Sequence, residues 1–336
     1  DDLAADPSTG DVLLYSGNLI QRPYPNDTYE WDGSQWTRMP PAATPLYRDF
    51  PILATDWTRR QVILFGSDYP NPSKDTWAWS GTAWQRVADH VQPTTGVGVW
   101  RIASDSGRDE MVFLGGPCGT LPCPWETWVL DENGFHDRAP STSPPAYTDW
   151  DGMVYHRGAQ RVVLYCGFAV GPGLINETWL WDGTTWTKYP SSVLPGTGPC
   201  VYDSARDKLV LVTSPAFGPM WEWDPWQGWV QMQPSALAPV GVVGAAYDPG
   251  RRRIVAWCST SPTNQIFEFD GVSWRDVTPA AMPMFRYGAK IEYVPWLGGC
   301  LVIDGIASNY PTAECLLWNG TSLTMSTFRL PGNNFG

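Results

Sequence analysis

The stretch Asn176-Glu177-Thr178-Trp179-Leu180-Trp181-Asp182-Gly183-Thr184-Thr185-Trp186-Thr187-Lys188-Tyr189-Pro190 decides the fold. Trp179 and Trp181 alternate with smaller or polar residues, the period-2 signature of a strand. Asp182-Gly183 supplies a tight turn, because glycine tolerates a positive φ. Trp186 opens a second short strand, and Pro190 ends it. The phrase returns as Thr28-Tyr29-Glu30-Trp31-Asp32-Gly33 with Trp36, and as Thr76-Trp77-Ala78-Trp79-Ser80-Gly81 with Trp84. Worn copies begin at Thr127, Met220, Ile266 and Cys315. Seven copies in 336 residues give a period of 48, and a period in that range marks a repeat architecture.

Two further strands precede the Trp phrase in every unit. An Asp ends the first, and an apolar strand begins six residues later: Asp6 before Val12, Asp56 before Val62, Asp105 before Met111, Asp203 before Leu209, Asp248 before Ile254. His156 before Val162 and Pro295 before Leu301 keep the spacing with a changed residue. The four strands of a unit are called A, B, C and D in chain order. Strand B is an unbroken apolar run, as in Val62-Ile63-Leu64-Phe65, which suits burial on both faces. One such meander cannot stand alone, whereas seven set radially cover one another. The expectation is an all-β, seven-bladed β-propeller of four-stranded antiparallel blades. It forms a single domain over 1–336, with blades at about 1–41, 42–89, 90–140, 141–190, 191–234, 235–280 and 281–336.

Composition agrees. Hydrophobic residues make up 43 % of the chain, and 33 Gly with 32 Pro suit turn-rich β structure. No apolar run approaches the ~20 residues of a membrane span. The net charge of −12 repels phosphate backbones and argues against nucleic acid. The start, Asp1-Asp2-Leu3, is no signal peptide, so an exported chain would already have lost its leader. Cys118 and Cys123 share one loop and are expected to form a local disulfide in an oxidising compartment, the alternative being two free thiols. With the acidic surface and only four Lys, this predicts a secreted or cell-surface protein.

The chain resembles the kelch repeat family, particularly its Trp-rich bacterial versions. The resemblance rests on strand B ending in Gly115-Gly116, the strand C aromatics Trp77, Trp128 and Trp179, and the strand D aromatics Trp84, Trp186 and Trp274. It spans the whole chain, although the Gly pair is intact only in the third unit. It implies that strand A lines a central channel and strand D lies outermost. The B–C and D–A loops then share one face, and the A–B and C–D turns the other. The tail 331–336 would bring both termini to the first blade.

Fourteen of the 21 Trp occupy repeat positions and read as blade core. Of the others, Trp57, Trp226 and Trp296 fall on turns, Trp257 on strand B, Trp100 and Trp150 on strand A, and Trp125 in the loop of Cys118 and Cys123. Strand A also carries charges that must reach water or pair: Arg48, Asp49, Arg101, Asp149, Asp151, and Lys290 with Glu292. Arg48, Asp49, Trp100, Arg101, Asp149, Trp150, Asp151 and Lys290 are therefore the candidate ligand-binding residues, at the channel mouth on the B–C/D–A face. Long B–C loops in the first, third and fourth blades point to the same face.

No catalytic set, metal site or cofactor is predicted. His90, His136 and His156 are dispersed, no phosphate loop or Gly-x-Ser-x-Gly motif occurs, and the cysteines have no paired zinc spacing. The Tyr–Cys crosslinked copper site of some kelch propellers cannot be assembled from these residues. The Asn26, Asn176 and Asn319 triplets match the N-glycosylation pattern but coincide with the repeat. The expected function is a non-catalytic extracellular binding propeller for a glycan or another protein. The alternative is a carbohydrate-active enzyme, a lyase or epimerase, in which Arg48, Arg101 or Lys290 neutralises a sugar carboxylate in the channel.

Overall fold

A computed structural model describes residues 2–15, 27–40, 45, 49–67, 75–87, 93, 98–117, 125–145, 152–166, 177–191, 193, 195, 198–213, 219–233, 238–260, 263–282, 289–303 and 314–327. They form 28 strands in seven four-stranded antiparallel sheets, each sheet built in chain order. The first blade holds β1 (Asp2–Ala5), β2 (Val12–Tyr15), β3 (Thr28–Trp31) and β4 (Trp36–Arg38). The second holds β5 (Asp49–Asp56), β6 (Gln61–Ser67), β7 (Trp77–Trp79) and β8 (Trp84–Arg86). The third holds β9 (Gly98–Asp105), β10 (Glu110–Pro117), β11 (Glu126–Asp131) and β12 (Gly134–Asp137). The fourth holds β13 (Gly152–His156), β14 (Arg161–Cys166), β15 (Glu177–Trp181) and β16 (Trp186–Lys188). The fifth holds β17 (Cys200–Asp203), β18 (Lys208–Leu211), β19 (Trp221–Asp224) and β20 (Gly228–Gln231). The sixth holds β21 (Val242–Asp248), β22 (Arg253–Thr260), β23 (Thr263–Phe269) and β24 (Trp274–Asp276). The seventh holds β25 (Lys290–Val294), β26 (Gly299–Ile303), β27 (Glu314–Trp318) and β28 (Leu323–Thr327). Strand A of each blade touches strand A of the next, and β25 touches β1, so the blades close into a ring.

The unbroken apolar run of strand B has a direct physical cause. In β6, Val62 and Leu64 join Leu13, Tyr15 and Trp79 in the core between the first two blades. Their neighbours Ile63 and Phe65 point the other way, into the core shared with Trp100, Phe113 and Trp128. Alternate side chains thus feed two different cores. Seven such cores occur, each shared by two adjacent blades, and the one between the seventh and the first holds Leu3, Tyr29, Trp31, Val294 and Leu301.

Polar groups tie the blades at fixed positions. The strand D indole of one blade donates to the first Thr of strand C in the blade before it: Trp84 Nε1 to Thr28 Oγ1 (2.7 Å), Trp186 to Thr127 (2.9 Å) and Trp229 to Thr178 (2.7 Å). The Asp that ends strand A is buried and organises its A–B turn. Asp248 Oδ1 accepts the Arg251 N–H (3.0 Å), and its Oδ2 accepts Arg251 Nε (2.7 Å). The third residue after that Asp then lies against the C–D glycine of the following blade, leaving little or no room for a Cβ. The pairs are Thr9 with Gly81, Arg108 with Gly183, Arg206 with Gly271 and Arg251 with Gly320. Leu297 does the same to Gly33 across the seventh and first blades. At Gly183 the φ of 98° explains the Asp-Gly of the repeat, since the turn needs both a positive φ and the absence of a side chain.

Both blades at the closure are built from one end of the chain each, the first from residues 2–38 and the seventh from 290–327. The closure is therefore made by packing and side chains among the described residues. The tail 331–336, expected to reach the first blade, lies outside them.

Candidate functional site

Where the A strands converge, side chains must shrink. Gly152 faces Cys200, and a Cβ on Gly244 would stand 2.9 Å from Ile291. Gly244 also follows an irregularity in the β21–β22 register, a place where pairing is interrupted beside an opening. These small residues leave a cavity of about 430 Å³, lined by the starts of β13, β17, β21 and β25 and by Leu3 of β1. Since strand A begins at the D–A loops, the cavity opens at the channel mouth on the B–C/D–A face.

Its charged lining comes from β25. Lys290 is exposed and pairs with the Asp2 carboxylate of the first blade. Asp2 is itself buried: its Oδ1 accepts the Leu3 N–H (2.9 Å) and its Oδ2 the Leu53 N–H of the second blade (2.8 Å). Glu292 lines the cavity two residues on, on the same side of the strand as Lys290. Burial pushes its carboxyl up to about 7, and Asp2 acts in the same direction, against an N–H from Ala5 and the charge of Lys290. Cys200, also on the wall, has its thiol pushed up to about 12 by burial and stays an unreactive small side chain.

Of the residues proposed from sequence, Lys290 is on this wall. Asp49 lies at the start of β5, next to an irregularity in the β5–β6 register. Arg101 is half-buried in β9, and its Nη1 donates to the Trp100 carbonyl (2.9 Å). Trp100 sits differently from expectation: it is 4 % exposed and packs edge-on to Phe65 with ring centroids 5.2 Å apart. Its ring fills the core between the second and third blades because Gly115, opposite it on β10, leaves that space open. Trp125 is likewise buried between the third and fourth blades. Arg48, Asp149, Trp150, Asp151 and the Cys118/Cys123 pair lie outside the described residues. Cys200, Cys258 and Cys300 are free thiols.

Sequence reading flagged Glu292 as a strand A charge without placing it in the site, and it missed Asp2. The available signal was an acidic residue within a strand A, Asp2 ahead of the apolar Leu3-Ala4-Ala5 and Glu292 two residues after Lys290. His136 pairs with Asp131 in the third blade (3.1 Å), and His156 is buried at the end of β13, where Nδ1 accepts the Ala159 N–H (3.1 Å). His90 lies outside the described residues, and no group of three metal-ligating side chains occurs among those described.

Comparison with known proteins gives the fold. The chain is similar to the structure of SapL1 lectin in complex with alpha methyl fucoside, with a TM-score of 0.52 and 14 % identity over 85 % of this chain and 98 % of that one. It is similar as well to the β-propeller domain of the Trilobed protease from Pyrococcus furiosus, described as having an open velcro topology. There the TM-score is 0.56 and the identity 9 %, over 97 % and 94 % of the two chains. No family model and no curated protein matches. No helix among the described residues is long and apolar enough to cross a membrane.

Proposed function

We propose that this chain is a non-catalytic binding propeller, kelch-like in its repeat and working outside the cytoplasm, that takes a small polar ligand at the mouth of its central channel. A sugar residue at the end of a glycan is the class that fits best. The observation that carries the reading is the cavity of about 430 Å³ with Lys290, Asp2 and Glu292 gathered at one side. A volume in the range of small-molecule sites, mostly apolar walls and a few convergent polar groups are what such sites need. A carboxyl that titrates near neutrality offers both a donor and an acceptor to a hydroxyl, and Lys290 adds three donors. That the SapL1 propeller was solved with a methyl fucoside makes monosaccharides the first class to test. A protein ligand on the same face is the other occupant of this class.

One observation favours an enzyme of the lyase or epimerase type instead. A carboxyl near 7 inside a cleft is a suitable general base at neutral pH. A glycan array followed by turnover assays on every hit decides between the two. Binding without product, weakened at least tenfold by Lys290→Ala, supports the module. Product formation that Glu292→Gln abolishes supports the enzyme, and the absence of any glycan or protein ligand for this face overturns both.

A further inference from the structure

The first blade keeps both acids of an ion cluster whose cation is absent from the chain. In the sixth blade, Arg251 bridges two carboxylates. Its Nε donates to Asp248 Oδ2 (2.7 Å) and its Nη1 to Glu268 Oε1, which also accepts the indole N–H of Trp318 from the seventh blade (2.7 Å). The fifth blade repeats the bridge, with Arg206 between Asp203 Oδ2 (2.6 Å) and Glu222. The repeat sets the positions: the Asp ends strand A, the Arg follows three residues later, and the Glu separates the two aromatics of strand C. The two bridging arginines stay 27 % and 26 % exposed, so the place they fill borders on water.

A glutamate at that strand C position recurs in one more blade, the first, as Glu30 between Tyr29 and Trp31. Its Oε1 accepts the indole N–H of Trp79 from the second blade (3.0 Å), as Glu268 accepts Trp318. Asp6 stands where Asp248 does, but the arginine position is Thr9, and the turn 7–11 holds no Lys or Arg. Asp6 is fully buried: its Oδ1 accepts the Ser8 N–H (2.7 Å), and its Oδ2 has no partner. Over Gly81 stand Ser8 Oγ and Thr9 Cγ2, where Arg251 Nη1 and Cζ stand over Gly320. A threonine ends at its γ atoms, well short of where a guanidinium meets both carboxylates. Asp11 lies near Asp6 and Asp32 and adds to the negative charge. Burial first, then the charges of Asp11 and Asp6, push the Glu30 carboxyl up to about 7, against the Trp79 hydrogen bond.

We infer that the first blade is a binding site for a guanidinium group from outside the chain, held between Asp6 Oδ2 and Glu30 as the chain's own arginine is held in the fifth and sixth blades. A guanidinium is planar and carries N–H donors along more than one edge, so it meets two carboxylates at once. An ammonium is a compact point charge and spans less. A metal ion calls for more oxygen ligands, and no group of three metal-ligating side chains occurs among the described residues. An arginine side chain of a partner and a small guanidinium compound share this chemistry.

The test is isothermal titration calorimetry of the intact chain at pH 8, where Glu30 is mostly ionised, with methylguanidinium as the probe and acetyl-argininamide, methylammonium and calcium in parallel. The expected result is saturable binding of the two guanidinium compounds, with methylammonium and calcium weaker. Glu30→Gln, which keeps an acceptor for Trp79, should lower the affinity about tenfold or more. Thr9→Arg should remove the binding and raise the unfolding midpoint, because the chain then carries the cation itself. Glu132→Gln, which removes one exposed charge from the third blade, should leave the binding unchanged. Tighter binding of acetyl-argininamide than of methylguanidinium assigns the site to an arginine side chain of a partner, and the reverse order to a small guanidinium compound. No saturable binding, binding that survives Glu30→Gln or Thr9→Arg, or calcium held more tightly than either guanidinium compound overturns the inference. The A–B turns lie on the face away from the cavity, so that failure leaves the channel-mouth reading standing.

Discussion

Glu292 stands in the channel wall at the point where three carboxyl and ammonium groups from two blades meet, and its acidity sets a pH dependence. The carboxyl is raised from 4.5 to about 7 in the folded chain. Between those values the unfolded chain has released the proton and the folded chain still holds it, so stability falls as pH rises through this window. One pKa unit is about 1.4 kcal/mol, which sets a ceiling of roughly 3 kcal/mol. Partial contact with water reduces the expected cost to about 1–2 kcal/mol. Glu292→Gln keeps an oxygen for the Ala5 N–H and removes the charge. Relative to the parent, the variant should gain that amount at pH 8 and nothing at pH 4, read from urea unfolding at both. Glu30, buried against Trp79 Nε1 (3.0 Å) and also raised to about 7 by burial, adds to the same slope.

At the level of the strand, the blade junctions rest on few hydrogen bonds between side chains, and Trp186 to Thr127 is one of them. Thr127 is fully buried, so Thr127→Val keeps its volume and strands the indole N–H away from water. The expected loss is about 1–3 kcal/mol in urea unfolding. Thr127→Ser, which keeps the acceptor, should recover most of it. The repeat made these elements legible: Trp alternation gave strand C, Asp-Gly gave the turn, and the unbroken run of strand B foretold burial on two sides. What the repeat could not tell was where strand A side chains point. Trp100 and Lys290 both break the apolar pattern of strand A, yet one fills a core and the other reaches the channel. The difference is made by Gly115 across the sheet and by the Asp2 carboxylate of another blade, which no local pattern carries. The cavity was equally hidden, because it is made of side chains that are missing, at Gly152, Gly198 and Gly244.

At the level of the whole ring, Asp2 is the joint between three blades, accepting from Leu53 N–H of the second and Lys290 of the seventh. Asp2→Ala leaves the buried Leu53 N–H without its acceptor, while the Lys290 ammonium stays in water, and should cost about 1–3 kcal/mol in equilibrium unfolding. Asp2→Asn, which keeps the acceptor for Leu53, should cost about half as much. If Asp2→Ala unfolds like the parent, closure rests on the apolar core of Leu3, Trp31 and Leu301 alone. Because no described sheet mixes strands from the two ends of the chain, the junction between the seventh and first blades is the same kind of object as the other six. Such a molecule has no privileged starting blade. A chain reconnected end to end and cut anew within another D–A loop would present the same set of sheets, because each blade, the first and the seventh included, draws its four strands from one unbroken stretch.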